Sequence, residues 1–201
     1  MISDETMHMI FRLCSIVLFV ATVTSCSGNY QIEGTYPSPL VPALPVQLDL
    51  EYDDTFGTYT YFDGDAQDNG VSIAIGPAQV QLFETIIEGM FEGGENAPVL
   101  KMKPAVNGFQ YAVPRETRSE VYEVWIKYRI DIEDSDGNAI ADWIITGYGK
   151  TPTALLKSQG AAINAATNIA LRDIGTQLAI GFKRQPSISL WLSNNLEASQ
   201  L

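Results

Sequence analysis

Histidine and cysteine are almost absent from this chain. Its 201 residues hold one histidine, His8, and two cysteines, Cys14 and Cys26. From Ser27 onward there is neither imidazole nor thiol. That stretch can build no Ser-His-Asp or Cys-His relay, no disulfide, and no zinc site with His or thiolate ligands. Basic residues are scarce as well: 12 Lys and Arg face 24 Asp and Glu, a net charge of −12 at pH 7. Setting aside Asp4, Glu5 and Arg12 near the N-terminus leaves the balance acidic. A surface of that sign repels phosphates, which argues against nucleic acid and against flat adsorption on an anionic bilayer. Long apolar runs are also missing. The one sustained run, from Leu13 to Val23, falls short of the roughly 20 residues that a spanning helix needs.

What is present begins with that run. Its length suits a signal-peptide core of about 7–15 apolar residues, and Ser27, Gly28 and Asn29 after it are polar. The flank is atypical, because Asp4 and Glu5 stand where basic residues are expected. A start at Met9 removes both and leaves Met-Ile-Phe-Arg before the core. The run closes on Val23-Thr24-Ser25-Cys26. This tetrapeptide resembles the lipobox of bacterial lipoproteins: an aliphatic residue, a small or polar one, a small one, then cysteine. The resemblance implies cleavage between Ser25 and Cys26, a thioether-linked diacylglycerol on Cys26, and acylation of its new amino end. The alternative is an ordinary secretory signal with Cys26 a free or disulfide-bonded thiol. One acyl chain holds a protein only marginally and several hold it firmly. Ser27, rather than Asp, after the cysteine resembles the outer-membrane default of enterobacterial lipoproteins and implies a periplasm-facing position. Cleavage would discard His8 and Cys14, and lipidation would consume Cys26.

Three segments follow by composition: a leader over 1–25, a lipidated cysteine and Pro-rich stretch over 26–45, and one domain over 46–201. Pro37, Pro39, Pro42 and Pro45 make the second either an extended tether or a segment draped over the domain. Val46, Leu48, Leu50 and Tyr52 alternate with polar residues as in a half-buried strand. Strands are expected over 58–62 and 71–75. A helix is expected from Val80 to Phe91, where apolar residues recur at helical spacing, and Gly93-Gly94 would end it. Val99 to Val113 reads as one or two strands, broken near Pro104 or Asn107-Gly108. The clearest pattern is Tyr122 to Ile132, where apolar residues alternate with Glu123, Trp125, Lys127, Arg129 and Asp131. Asp134–Asn138 supplies a turn and Ala139 to Tyr148 a partner strand. Thr153 could cap a long helix from Ala154 to about Phe182. Pro186 would stop it, leaving Ile188, Leu190 and Leu192 as a short strand or docked tail. The order predicts an α+β fold: a two-layer sandwich, antiparallel or mixed sheet, with two helices packed on one face.

Several groupings are better explained by structure than by chemistry. Asp63–Gly70 places oxygen ligands at alternating positions, but the EF-hand spacing fails and no Glu stands at the twelfth position. Asp134–Gly137 is accounted for by a hairpin turn. Glu84, Glu88 and Glu92 share one helix face, as a solvated face does. Gly147-Tyr148-Gly149-Lys150-Thr151 lacks the first glycine of a phosphate loop. No catalytic residue, metal site or cofactor is expected. Tyr59, Tyr61, Trp125 and Trp143 are the candidates for contact with a partner or ligand. Trp125 lies among charged alternate neighbours, and Trp143 could meet it across the hairpin.

The lipobox, the Pro-rich stretch, a small α/β domain and a long Ala-rich helix after a hairpin together resemble small proteobacterial envelope lipoproteins. These include accessory lipoproteins of lipopolysaccharide assembly and auxiliary lipoproteins of ABC transport. The resemblance implies a non-enzymatic accessory or scaffold subunit, joined to the membrane by its lipid and to a protein partner in the envelope. The alternative is a periplasmic-side binder of a lipid or glycan. The first calls for an exposed apolar face or an unpaired sheet edge, the second for an apolar pocket.

Overall fold

The computed structural model describes residues 28–64, 70–153 and 158–198. Strands β1 (Gly28–Gln31), β2 (Gln47–Leu50), β3 (Thr60–Asp63) and β4 (Val71–Ala74) lead into helix α1 (Gly76–Met90). Three long strands follow: β5 (Val99–Ala112), β6 (Val121–Asp134) and β7 (Ala139–Pro152). Helices α2 (Gln159–Gly181) and α3 (Pro186–Ala198) close the described chain. The fold is α+β, with two mixed sheets. The larger has the order β2-β5-β6-β7 and the smaller β1-β4-β3. Both contain one parallel pair, β2 with β5 and β1 with β4.

Strand β6 shows why the sheet has two unlike faces. Val124, Ile126, Tyr128, Ile130 and Ile132 are all fully buried, because period-2 alternation puts them on one side. Burying each aliphatic side chain stabilises the fold by roughly 1.5–3 kcal/mol. On that inner side Phe83 of α1 packs edge-on against Tyr128 at 5.3 Å. The Tyr128 hydroxyl donates to Gln79 Oε1 at 2.6 Å, and Gln79 Nε2 donates to the Phe56 carbonyl. A buried polar trio is thereby satisfied. The outer side carries charge. Glu51 bridges Lys101 (3.7 Å) and Lys103 (3.4 Å), Lys103 bridges Glu133 (2.7 Å), and Arg129 joins Asp131 (3.1 Å) and Asp142 (2.7 Å).

Strand β5 is continuous. Pro104 sits within it, and a bulge at Asn107 shifts the register between Val106 and Gly108. Inward positions therefore change from even (Leu100, Met102) to odd (Phe109).

Of the two alternatives for the Pro-rich stretch, residues 28–45 take the draped one rather than the tether: β1 lies within it, and Ile32, Tyr36 and Leu44 are buried in the core. Two expectations are corrected. The long helix starts at Gln159, capped by Ser158, whose Oγ accepts the Ala161 N–H at 3.2 Å. Thr153 instead directly follows β7, its N–H donating to the Glu120 carbonyl. Residues 186–198 form a helix, with Pro186 as its first residue, a position where a missing N–H costs nothing. Ile188 and Leu192 are buried at the i, i+4 spacing of one helix face, while Leu190 points outward, 64% exposed. The alternation that resembled a strand is two-thirds of a helix face.

Candidate functional site

Helices α1 and α2 cover the inner face of the large sheet, and residues 33–42 run over them as a strap. Asn164 and Asn168 fasten its start. Asn164 Oδ1 accepts the Glu33 N–H at 2.9 Å, and Asn168 Nδ2 donates to the Glu33 carbonyl at 2.8 Å. The Tyr36 hydroxyl donates to Asn168 Oδ1 at 3.0 Å, and Arg172 donates to the Thr35 carbonyl at 3.1 Å. Burial raises the Tyr36 hydroxyl to about 12, opposed by the nearby Arg172 charge. Farther on, the strap crosses α1 at Gly89, where a Cβ would collide with Ser38 Oγ and Pro39.

Between the strap and the helices lies an apolar groove of about 540 Å³. Leu82 and Ile86 of α1, Gly175, Ala179 and Ile180 of α2, and Val41 of the strap line it. A second hollow of about 260 Å³ shares Val41, Ala179 and Ile180 and extends to Lys183 and Arg184. Leu40 is fully exposed and Ile180 half exposed beside the opening. Cations thus stand at both ends of an apolar trough: Arg172 at one, Lys183 and Arg184 at the other. The arrangement can hold an apolar chain and an anionic group; the hydroxyls in its wall are those of Tyr36, Ser38 and Thr176. Among the described residues, no group of three or more His, Cys, Asp or Glu could hold a metal.

The free edge of β7 is capped at Thr146 and Tyr148. The Tyr148 N–H donates to Asp173 Oδ2 at 3.0 Å, and Gln177 Nε2 donates to the Thr146 carbonyl at 2.8 Å. Side chains of α2 thus satisfy edge groups that would otherwise template another strand. The helix comes this close because β7 carries Gly147 and Gly149. A Cβ on either would run into the α2 backbone, at Ala170 and Ala166 respectively.

The candidate aromatics do not converge. Trp125 is half-buried on the outer face, beside Tyr148 at 5.3 Å. Trp143 is on the inner face, opposite Ile130 and 6.4 Å from Phe182. The two tryptophans therefore do not meet: Trp125 pairs with an even-numbered residue of β7, so the odd-numbered Trp143 faces the other way. Tyr61 packs on Phe109 at 4.9 Å, and Tyr59 is half-buried, its hydroxyl pushed up by burial. Asp134 accepts from the Asn138 side-chain amide and from the Asn138 and Asp136 N–H groups, which lowers its carboxyl and makes the acidic turn a hydrogen-bonded hairpin end. Glu84, Glu88 and Glu92 are exposed. Ser25 and Cys26 lie outside the described residues, as do residues 65–69 of the other acidic loop. The groove is not anticipated from sequence. Its signals are the strap-facing glycine Gly89 and the small residues Gly175 and Ala179 on the side of α2 turned towards α1 and the strap.

No family model matches the sequence, and no curated protein matches it. Solved structures give loose likenesses. A provisionally named lipoprotein from Caulobacter crescentus is 11% identical, with a TM-score of 0.41 over 73% of this chain and 90% of that one. A minor lipoprotein from Acinetobacter baumannii is 17% identical, with a TM-score of 0.41 over 74% and 96%. Rare lipoprotein B from Shewanella oneidensis is 11% identical, with a TM-score of 0.36 over 76% and 98%. At these identities and scores the likenesses carry no weight for the site or for function. Among the described residues no helix is long and apolar enough to cross a membrane.

Proposed function

We propose that the chain is a non-enzymatic lipoprotein of the bacterial envelope, anchored through lipid on Cys26 to the periplasmic side of the outer membrane. In this reading it serves as an accessory or scaffold subunit of a transport or assembly complex. The observation that carries the anchor is Val23-Thr24-Ser25-Cys26 at the end of a short apolar run. The non-enzymatic reading is supported by the lack of His and Cys beyond Cys26. Metabolic labelling with palmitate tests the anchor: label should reach the wild-type chain and not Cys26→Ser, and the variant should leave the membrane fraction. A Cys26→Ser protein that stays membrane-bound refutes it.

The groove favours a second reading, a binder of an apolar ligand. Its lining is aliphatic and its ends are cationic, which suits an acyl chain bearing an anionic group. Crosslinking in native membranes followed by purification separates the two. A stoichiometric protein partner supports the scaffold, and a co-purifying lipid supports the binder.

A further inference from the structure

The packed N-terminal strap leaves almost no chain between the lipid-bearing position and the folded domain. Gly28 is already paired with Val71, and Ile32 and Tyr36 are buried. Only Ser27 separates Cys26 from Gly28, a reach of about 7 Å at full extension. We infer that the domain stands end-on, directly against the bilayer that holds its lipid, with the Gly28 end facing the headgroups. The orientation rests on the reading of Cys26 as lipidated.

The pairing identifies that end. Gly28, Val71 and Asp63 form one row across the small sheet. The Asp63 carboxylate lies beside Tyr111, so the end of β5 is next to it, followed by the single helical turn Pro114–Thr117. Val121 pairs with Pro152 at the open end of the β6–β7 hairpin. The Tyr30 ring borders Gly160 at the start of α2. The Asp134–Asn138 turn is at the opposite end, about 40 Å away along β6 at about 3.3 Å per residue. Phe62, 53% exposed, is one row from Gly28 and suits the headgroup region, where an aromatic ring can be partly wet. Exposed Arg115 and Arg118 stand there with exposed Asp63, Glu116 and Glu120. That mixture gives no strong attraction to lipid, so the short link to Cys26, rather than charge, sets the orientation. Helix α2 then leads away from the membrane, about 30 Å from Gly160 to Ile180 at about 1.5 Å per residue. The groove stands clear of the headgroups.

The lipidated chain lends itself to a direct test. Processing removes Cys14 and lipid occupies Cys26, so an introduced cysteine is the sole free thiol. Arg115→Cys and Asp136→Cys, each made as the full chain and purified with lipid, are labelled with a fluorophore. They are then inserted into phosphatidylethanolamine–phosphatidylglycerol vesicles carrying headgroup nitroxides. The label at 115 should be quenched several-fold more than the label at 136. A long Gly-Ser insert after Ser27 should abolish the difference. Equal quenching without the insert, or stronger quenching at 136, on a chain shown by mass to carry lipid overturns the orientation and leaves the anchor standing. A mature chain whose mass shows no lipid overturns both.

Discussion

On its sheet side, α2 presses Ala166 and Ala170 onto Gly149 and Gly147 of β7, with no room for a methyl group between them. On its other side the same helix faces the 36–41 strap across a hollow of about 540 Å³. Small residues line both contacts, so side-chain size on α2 does not set the packing density; the partner does. Against a strand that is itself glycine, small residues let two backbones close up, and Ile163, Leu171, Ile174 and Leu178 fill the flanks completely. Against an extended Pro-Ser-Pro segment that cannot interdigitate, the same small residues leave space. The tight side is where the fold is held, and the loose side is where a ligand could enter.

The sharpest way to break this contrast is Gly149→Val. The new side chain meets the α2 backbone at Ala166, which cannot retreat as a flexible side chain would. The expected cost is at least about 3 kcal/mol, read as lost stability in denaturant unfolding. The Asp173 and Gln177 caps should open with it, so strand-edge association should appear as aggregation. A variant of wild-type stability would mean that α2 is not seated on β7 as described.

The next largest effect is expected at the fastening of the strap. Asn168→Ala strands the Tyr36 hydroxyl and the Glu33 carbonyl. Leaving buried polar groups without partners costs about 2 kcal/mol. Limited proteolysis should cut within residues 33–42 faster than in wild type. If cleavage there is unchanged, Asn168 does not fasten the strap, and Asn164, Arg172 and the apolar contacts hold it.

Much of the tight side was legible in the sequence. Alternation from Tyr122 to Ile132 defines β6, its buried face and its hairpin partner. The Ala-rich helix and its stripe of Ile163, Ala166, Ala170, Ile174 and Leu178 follow from spacing. The loose side was not legible, for physical reasons. Ile32, Tyr36 and Leu44 are buried at irregular spacing, because an extended strap follows the surface beneath it rather than its own period. Strand β1 is fixed by a parallel partner 43 residues away, which no local pattern reveals. Trp143 was misplaced because the side of the sheet it faces depends on pairing register, and one residue of slip exchanges the faces. Gly147-x-Gly149 did carry a usable signal. Two glycines two apart in a strand, with alanines four apart in the next helix, mark a close backbone approach.

A pH titration sharpens the comparison at the strap. The folded chain holds the Tyr36 proton to about 12, against an ordinary value of 10.0. Between these values the unfolded chain binds fewer protons than the folded one, so stability must fall as pH rises. Below about pH 10 this contribution is fully present; it is lost as pH rises through about 12. Absorbance at alkaline pH should show Tyr36 ionising late, together with release of the strap. Tyr36→Phe should flatten that part of the stability–pH curve. An unchanged curve would place the alkaline loss at the buried Tyr128 and the half-buried Tyr52 and Tyr111, whose hydroxyls burial also raises.

The smallest effect should come from filling the groove. Ala179→Leu adds three carbons on the half-buried side of α2, pointing into the hollow that Ala179 lines. In a close-packed interior such an insertion costs about 1–3 kcal/mol. Here open volume receives the added atoms, and the apolar area they cover offsets the lost side-chain freedom. Stability should change by less than about 1 kcal/mol, in contrast to the large loss at Gly149. The same variant should abolish binding of an acyl ligand in the groove, if one is bound there, without unfolding the domain. A loss at Ala179 as large as that at Gly149 would show that the strap closes on α2 as tightly as β7 does. The two sides of the helix would then be alike.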